Sequence, residues 1–161
     1  MPATSAGILL YRLDEAGGVT VLVAHMGGPY WASKDEGAWS IPKGEVEDGE
    51  GMLDAARREF REELGVEPPS ASEGAYAELG TFAYSSGKRV TVFVADGASF
   101  STTEFAFGTF EIEWPPRSGQ RATFPEVDRA EWMPVAAARE HLVVGQRPAL
   151  DRLTDLLREL P

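Results

Sequence analysis

The chain contains no cysteine, which excludes disulfides, thiolate zinc sites and cysteine nucleophiles. Histidine is almost missing too. His25 and His141 are the only two; they lie far apart in sequence and read as structural or surface residues rather than as parts of a site. Basic residues are outnumbered, 15 Lys and Arg against 26 Asp and Glu, for a net charge of −11. That balance argues against nonspecific binding of nucleic acid or anionic membranes, both of which want basic surfaces. Although 43% of residues are hydrophobic, no apolar run is long enough to span a bilayer. The N-terminus lacks the basic flank and apolar segment of a signal peptide. The expected location is therefore the cytoplasm, with no membrane partner. Repeats, low-complexity tracts and linkers are also lacking, so residues 1–161 are expected to form one domain with a sizeable core.

What the chain does have is carboxylate in an unusual arrangement. Residues 44–66 read GEVEDGEGMLDAARREFREELGV. Glu59, Glu62 and Glu63 stand at i, i+3 and i+4, which a helix places close together. Like charges at that spacing repel by about a few tenths of a kcal/mol per exposed pair, a cost that a divalent cation reverses. Clustered carboxylates suit a hard ion such as Mg²⁺ or Mn²⁺ rather than zinc or copper. Leu53, Ala56, Phe60 and Leu64 form the apolar stripe of the same helix, with Glu59 and Glu63 on its flank and Glu62 further round. Glu50 and Asp54 are expected in the first turn, where negative charge suits the helix dipole. Gly65 supplies a left-handed stop, and Pro68 and Pro69 prevent a restart. A surface helix laced with ion pairs would also explain Arg58 and Glu62 at i, i+4, but it would ask nothing of Gly44 or Gly65.

Gly44, five residues, Glu50, seven residues, Arg58-Glu59, an apolar residue, any residue, Glu62-Glu63, any residue, Gly65 and an apolar residue: this resembles the Nudix box at every specified position. The strand-like run Trp39 to Lys43 in front of it fits the strand, loop and helix order of that motif. Further motifs support the likeness: Ser5-Ala6-Gly7-Ile8 near the start, Pro125 to Trp132, and Gly145 to Leu153. They resemble a bacterial subgroup of nucleoside-polyphosphate pyrophosphohydrolases and the asymmetric diadenosine tetraphosphate hydrolases. The resemblance implies an α/β Nudix fold, a mixed β-sheet sandwiched between α-helices.

Elsewhere the pattern suggests strands at Ser5–Arg12 and Val19–His25 around a turn at Asp14–Gly18, then a Gly-rich loop to Ala38. Strands are expected at Ala75–Tyr84 and Lys88–Ala95 around Ser85-Ser86-Gly87. Residues 97–125 are the least regular, with a strand at Thr109–Trp114 and a Pro-Gly loop after it. A strand or turn at Ala130–Met133 precedes a short helix at Val135–His141. Arg147–Leu160 closes as an amphipathic helix carrying Leu150, Leu153, Leu157 and Leu160 on one side.

The family cleaves a nucleoside diphosphate linked to a group X, with water as nucleophile and Mg²⁺ as cofactor; Mn²⁺ can substitute. Carried over by motif position, Glu59, Glu62 and Glu63 are the metal-binding and catalytic carboxylates, and Arg58 orients them. The carbonyl of Lys43 is a backbone metal ligand and its ammonium a phosphate contact. Glu126, beyond the box, is a further ligand candidate, with Glu111 and Glu113 as alternatives. One of the box carboxylates or Glu126 serves as general base. Lys88 and Arg89 are candidate phosphate contacts, with Arg117 and Arg121 as lesser ones. Tyr84 is a candidate base-stacking residue, as are Tyr30, Trp31 and Trp39, for which packing is the competing role.

A small-molecule nucleotide is thus the expected partner, most directly a nucleoside or dinucleoside polyphosphate. Three other readings stay open: hydrolysis of ADP-ribose or a nucleotide sugar, RNA 5′-end pyrophosphohydrolysis, and a non-catalytic nucleotide-sensing module. Oligomeric state is left open.

Overall fold

Ile8 and Leu10 alternate with Leu9, and Leu22 and Ala24 alternate with Val21 and Val23, yet all seven are fully or almost fully buried. Successive strand side chains point to opposite faces, so a strand apolar at every position must be covered on both sides. The computed structural model, which describes residues 4–70, 75–100 and 104–159, shows that arrangement. Its main strands are β1 (Thr4–Leu13), β2 (Val19–Met26), β3 (Trp39–Ser40), β4 (Lys43–Glu45), β5 (Ala77–Ala83), β6 (Arg89–Asp96) and β9 (Val127–Pro134). Between β6 and β9, β7 (Thr109–Glu113) and β8 (Arg121–Pro125) pair with each other as a separate antiparallel ribbon.

The mixed sheet runs β3-β2-β1-β6-β5, with β9 on β2 and β4 on β1. β1 pairs in parallel with β6 and antiparallel with β2, but the β2 pairing covers only Tyr11 to Leu13. Toward its start β1 turns to β4 instead, from Ser5 to Gly7. β1 and β2 therefore splay apart, and residues 39–45 fill the opening. Gly7 permits this close approach: a Cβ there would collide with the Pro42 carbonyl and the Lys43 side chain.

One face of the sheet packs on α1 (Met52–Leu64) through Ala55, Ala56, Phe60 and Leu64 against Ile8, Leu10, Leu22 and Phe93. The other face carries Leu9, Val21, Val23, Val90 and Val92, covered by α2 (Val135–His141) and α3 (Arg147–Glu159) through Ala138, Ala149, Leu150 and Leu153. A fully buried aromatic such as Phe60 is worth about 3–5 kcal/mol against alanine, so α1 is held to the sheet by its apolar stripe while its other flank is free for chemistry.

Several expected boundaries shift. The Trp39–Lys43 run is two short strands, because Pro42 cannot donate to a ladder. Glu50 lies before the helix, whose N-cap is Gly51; only Asp54 is in the first turn. Gly65 does adopt the left-handed conformation, φ 71°. Residues 97–125 hold more order than their composition suggests, since β8 pairs with β7 over five residues. β9 is twice the length read from Ala130–Met133. Leu160 lies outside the described residues. No helix among the described residues is long and apolar enough to cross a membrane.

Candidate active site

The flank of the α1 apolar stripe that carries Glu59 and Glu63 meets β4 where β1 and β2 part. Gly44 is what lets them meet: a Cβ at that position would fall inside van der Waals contact with the Glu59 carboxylate. A pocket of about 450 Å³ opens there, lined by Lys43, Gly44, Glu45, Glu59, Glu63 and Glu126 together with Met26, Ser40 and Val127. Three carboxylates from α1 and from the turn before β9 thus share one cavity.

Their environment is uncomfortable for negative charge. Burial pushes the Glu63 carboxyl up from 4.5 to about 8; the nearby Lys43 and its backbone N–H, which donates to Glu63 Oε2 at 3.3 Å, pull the other way. The charges of Glu59 and Glu126 add to the rise. Glu59 is also raised, first by burial and then by Glu62 and Glu126, against the pull of Arg58. Carboxylates buried together cost free energy unless a cation joins them.

Arg58 organises the rim. Its guanidinium grips Glu50 with two hydrogen bonds, Nε to Oε2 at 2.8 Å and Nη2 to Oε1 at 2.9 Å. It also donates to the Glu45 carbonyl at 2.9 Å, to Glu59 Oε1 at 2.8 Å and to Glu62 Oε2 at 3.1 Å. Glu50 is held far below the ordinary carboxylate range, at about 2, chiefly by those hydrogen bonds from Arg58. Glu62 is turned to this rim with a 57% exposed side chain and does not line the pocket.

The donors suit a hard divalent cation: all are oxygens, and the pocket penalises their charge without one. Among the described residues, no three His, Asp or Glu side chains are gathered tightly enough to hold an ion as they stand. Arg58 instead holds an oxygen of Glu59 and one of Glu62. Glu59, Glu63 and Glu126 are the side chains that would take the ion.

Two further pockets join the first through Lys43. A small cleft of about 170 Å³ carries Lys43, Tyr84, Lys88 and Arg89, so the expected phosphate contacts do converge beside the carboxylates. A larger one of about 520 Å³ is walled by Tyr84, Ser40 and the turn before α3. Of the four aromatic candidates only Tyr84 reaches these cavities. Trp39 is buried in the core, and Tyr30 packs edge-on against Trp114.

Glu111, Glu113, Arg117 and Arg121 belong to the β7–β8 ribbon and its turn, where Arg121 pairs with Glu111 at 2.8 Å and Glu113 accepts the Arg117 backbone N–H. None of them lines these three pockets. His25 is fully buried, with Nδ1 2.7 Å from Asp128 and Nε2 2.6 Å from the Lys34 carbonyl. His141 binds the Ala137 carbonyl and Asp35.

Sequence reading missed Ser40 and Gln146 as pocket residues. A short polar residue in a two-residue strand, and a glutamine ahead of a helix, carry no signal by spacing. Gly108 was missed as well, and here a signal existed. A glycine between aromatic residues marks a close approach, and a Cβ at Gly108 would press on the Glu62 carbonyl and come near Glu126.

A family model described as NUDIX domain matches residues 1–153. A curated relative from Bifidobacterium longum, a nucleoside triphosphate pyrophosphatase/Nudix hydrolase fusion protein, is 32% identical over 114 residues. Those residues are 70% of this chain but span only 23% of that longer protein. Among solved structures, a C. elegans Ap4A hydrolase binary complex aligns with TM-score 0.63 at 19% identity, covering 98% of this chain and 99% of that one. The NUDIX domain of Shewanella oneidensis NrtR complexed with ADP ribose aligns with TM-score 0.63 at 14% identity, covering 98% and 89%. At such identities the likeness is one of fold. With the box intact from Gly44 to Val66 and the family match running through nearly the whole chain, this protein belongs to the Nudix family.

Proposed function

We propose that the protein is a Mg²⁺-dependent pyrophosphohydrolase of nucleoside diphosphates linked to a further group, with nucleoside or dinucleoside polyphosphates as preferred substrates. The observation that carries this reading is the shared pocket of Glu59, Glu63 and Glu126, in which burial first, and then neighbouring carboxylates, push the Glu59 and Glu63 carboxyls upward. Such a pocket gains most from a bound cation, and a polyphosphate delivers one. A divalent cation held there supplies Lewis acidity to the phosphoryl oxygens and lowers the pKa of bound water. The protein's own groups do the rest. Arg58 holds Glu59 and Glu62 in place; Lys43 presents positive charge to the phosphates; a pocket carboxylate accepts the proton of the attacking water. Water adds to one phosphorus, the bridging P–O bond breaks, and two phosphate-bearing products leave.

Lys43, Lys88 and Arg89 favour longer phosphate chains, because each added phosphate extends along the same cationic cleft. ADP-ribose, bound by the NrtR domain, offers two phosphates and is the natural comparison. A non-catalytic sensor would have no need to keep all of Glu59, Glu62 and Glu63. The test is kcat/KM with Mg²⁺ for diadenosine tetraphosphate, a nucleoside triphosphate and ADP-ribose, in wild type and in Lys88→Ala/Arg89→Ala. The first two should outrank ADP-ribose, and the double variant should narrow the gap by about tenfold for two lost charge-assisted contacts. A wild-type preference for ADP-ribose, or a double variant equally active on every substrate, would overturn the substrate assignment.

A further inference from the structure

Gln146 is fully buried, and both hydrogens of its amide and its amide oxygen have partners. Its Oε1 accepts the Ile41 backbone N–H at 2.7 Å. Its Nε2 then has two hydrogens to give, one to Ser40 Oγ at 2.9 Å and one to Tyr84 Oη at 2.8 Å. The backbone donor at Ile41 fixes which end of the amide is oxygen, so the direction of the whole relay is determined. Tyr84 Oη is an acceptor in that relay, and its own hydrogen must point elsewhere. Burial raises the Tyr84 phenol above its ordinary value of 10.0, so the hydroxyl keeps its proton. The ring is located by a second device. Gly145 lies so close to it that a Cβ there would collide with the ring carbons.

Tyr84 stands at a junction. On one side is the cationic cleft of Lys43, Lys88 and Arg89. On the other is the 520 Å³ pocket, whose walls include Met26, Ala83, Val143, Val144 and Pro148. A pocket of that size, mostly apolar with a few placed polar groups, suits a small organic ligand. It shares Lys43, Ser40 and Met26 with the carboxylate cavity, so one ligand can occupy both.

We infer that this pocket receives a nucleoside end of the substrate. Tyr84 donates its hydroxyl hydrogen to an oxygen where sugar meets phosphate, and Gln146 is the positioning residue that aims that donor. The inference rests on the nucleotide-hydrolase reading and deepens it. Gln146 does not touch the ligand; it acts through Tyr84 and, through Ile41, ties the pocket wall to the segment leading into Lys43.

The variants that separate a positioning role from a packing role are Tyr84→Phe, Gln146→Glu and the double variant. Glu in place of Gln146 keeps the size but has no amide hydrogens; as a carboxylate it only accepts, so the Tyr84 hydroxyl turns inward and its hydrogen is lost to the pocket. AMP binding is measured by calorimetry without added metal, which requires no turnover. Each single variant should weaken AMP about 5- to 10-fold, the cost of one lost hydrogen bond, and the double variant should be no worse than either single one. KM for the best nucleotide should rise by a similar factor with kcat changed less than about twofold. Inorganic tripolyphosphate, which has no nucleoside, should inhibit wild type and the charge-neutral Tyr84→Phe equally.

Additive losses, or unchanged AMP affinity in folded Tyr84→Phe, would overturn the inference. A parallel weakening of tripolyphosphate in Tyr84→Phe would overturn it too, by placing Tyr84 on the phosphates alone. Failure of the wild type to hydrolyse any nucleotide while it binds AMP through Tyr84 would sink the hydrolase reading and leave the subsite standing.

Discussion

At Gly44 the missing side chain is the functional feature. The Glu59 carboxylate occupies the space a Cβ would take, and Arg58 holds that carboxylate by a 2.8 Å ion pair. Gly44→Ala therefore forces Glu59 to move while leaving the apolar face of α1 untouched. Its carboxylate is the far end of a flexible chain, so stability should fall by no more than about 1–3 kcal/mol, the usual range for overpacking. Activity should suffer more, because a misplacement of about 1 Å at a reacting centre can cost about 10²-fold. Thermal melts and kcat measured side by side check this. A variant that melts far lower yet turns over normally would mean that Gly44 serves packing and not the carboxylate pocket.

Among the elements, α1 and the loop before it behave as one piece because of Arg58. Glu50, eight residues earlier, accepts two of its hydrogen bonds, and the Glu45 carbonyl a third. Glu50 has its pKa lowered from 4.5 to about 2. A lowered carboxyl adds stability that is fully present above the unfolded value and is lost as pH falls toward the folded one. Denaturant titrations of wild type and Glu50→Gln should therefore differ by a constant amount above about pH 5, with the difference shrinking steadily in more acid solution. A difference that stays flat or grows toward acid would show that the clamp does not stabilise the loop. Helical spacing could not reveal this contact. It joins a loop to a helix at i, i+8, so Glu50 read from sequence as a first-turn residue. The same blindness hid β8, since residues 121–125 gain their strand form only by pairing with β7. The stripe Ala56, Phe60 and Leu64, by contrast, was legible because burial against a sheet imposes its own period.

At the scale of the whole molecule, the splay of β1 from β2 makes the site. It opens the sheet where residues 39–45 enter, and it sets Lys43 at the meeting point of three cavities. Glu126 is brought there from 63 positions beyond Glu63 by the return of the β7–β8 ribbon, whose two ends are joined by the Glu126 N–H bond to the Gly108 carbonyl at 2.8 Å. A motif within one helix could be read from the sequence. Lys43, Lys88 and Arg89 were also read as phosphate contacts, but the Gln146–Tyr84–Ser40 relay could not be, because its members meet only through sheet topology. Every part of this arrangement bears on one claim, that the carboxylate pocket works with a divalent cation on a phosphoanhydride. The most direct test follows the hydrolysis of diadenosine tetraphosphate or a nucleoside triphosphate in Mg²⁺, after EDTA treatment, and in Glu63→Gln. Hydrolysis should vanish with EDTA and return with Mg²⁺ or Mn²⁺, and folded Glu63→Gln should lose at least about 10²-fold in kcat. An undiminished rate after EDTA treatment, or unchanged turnover in Glu63→Gln, would contradict the account.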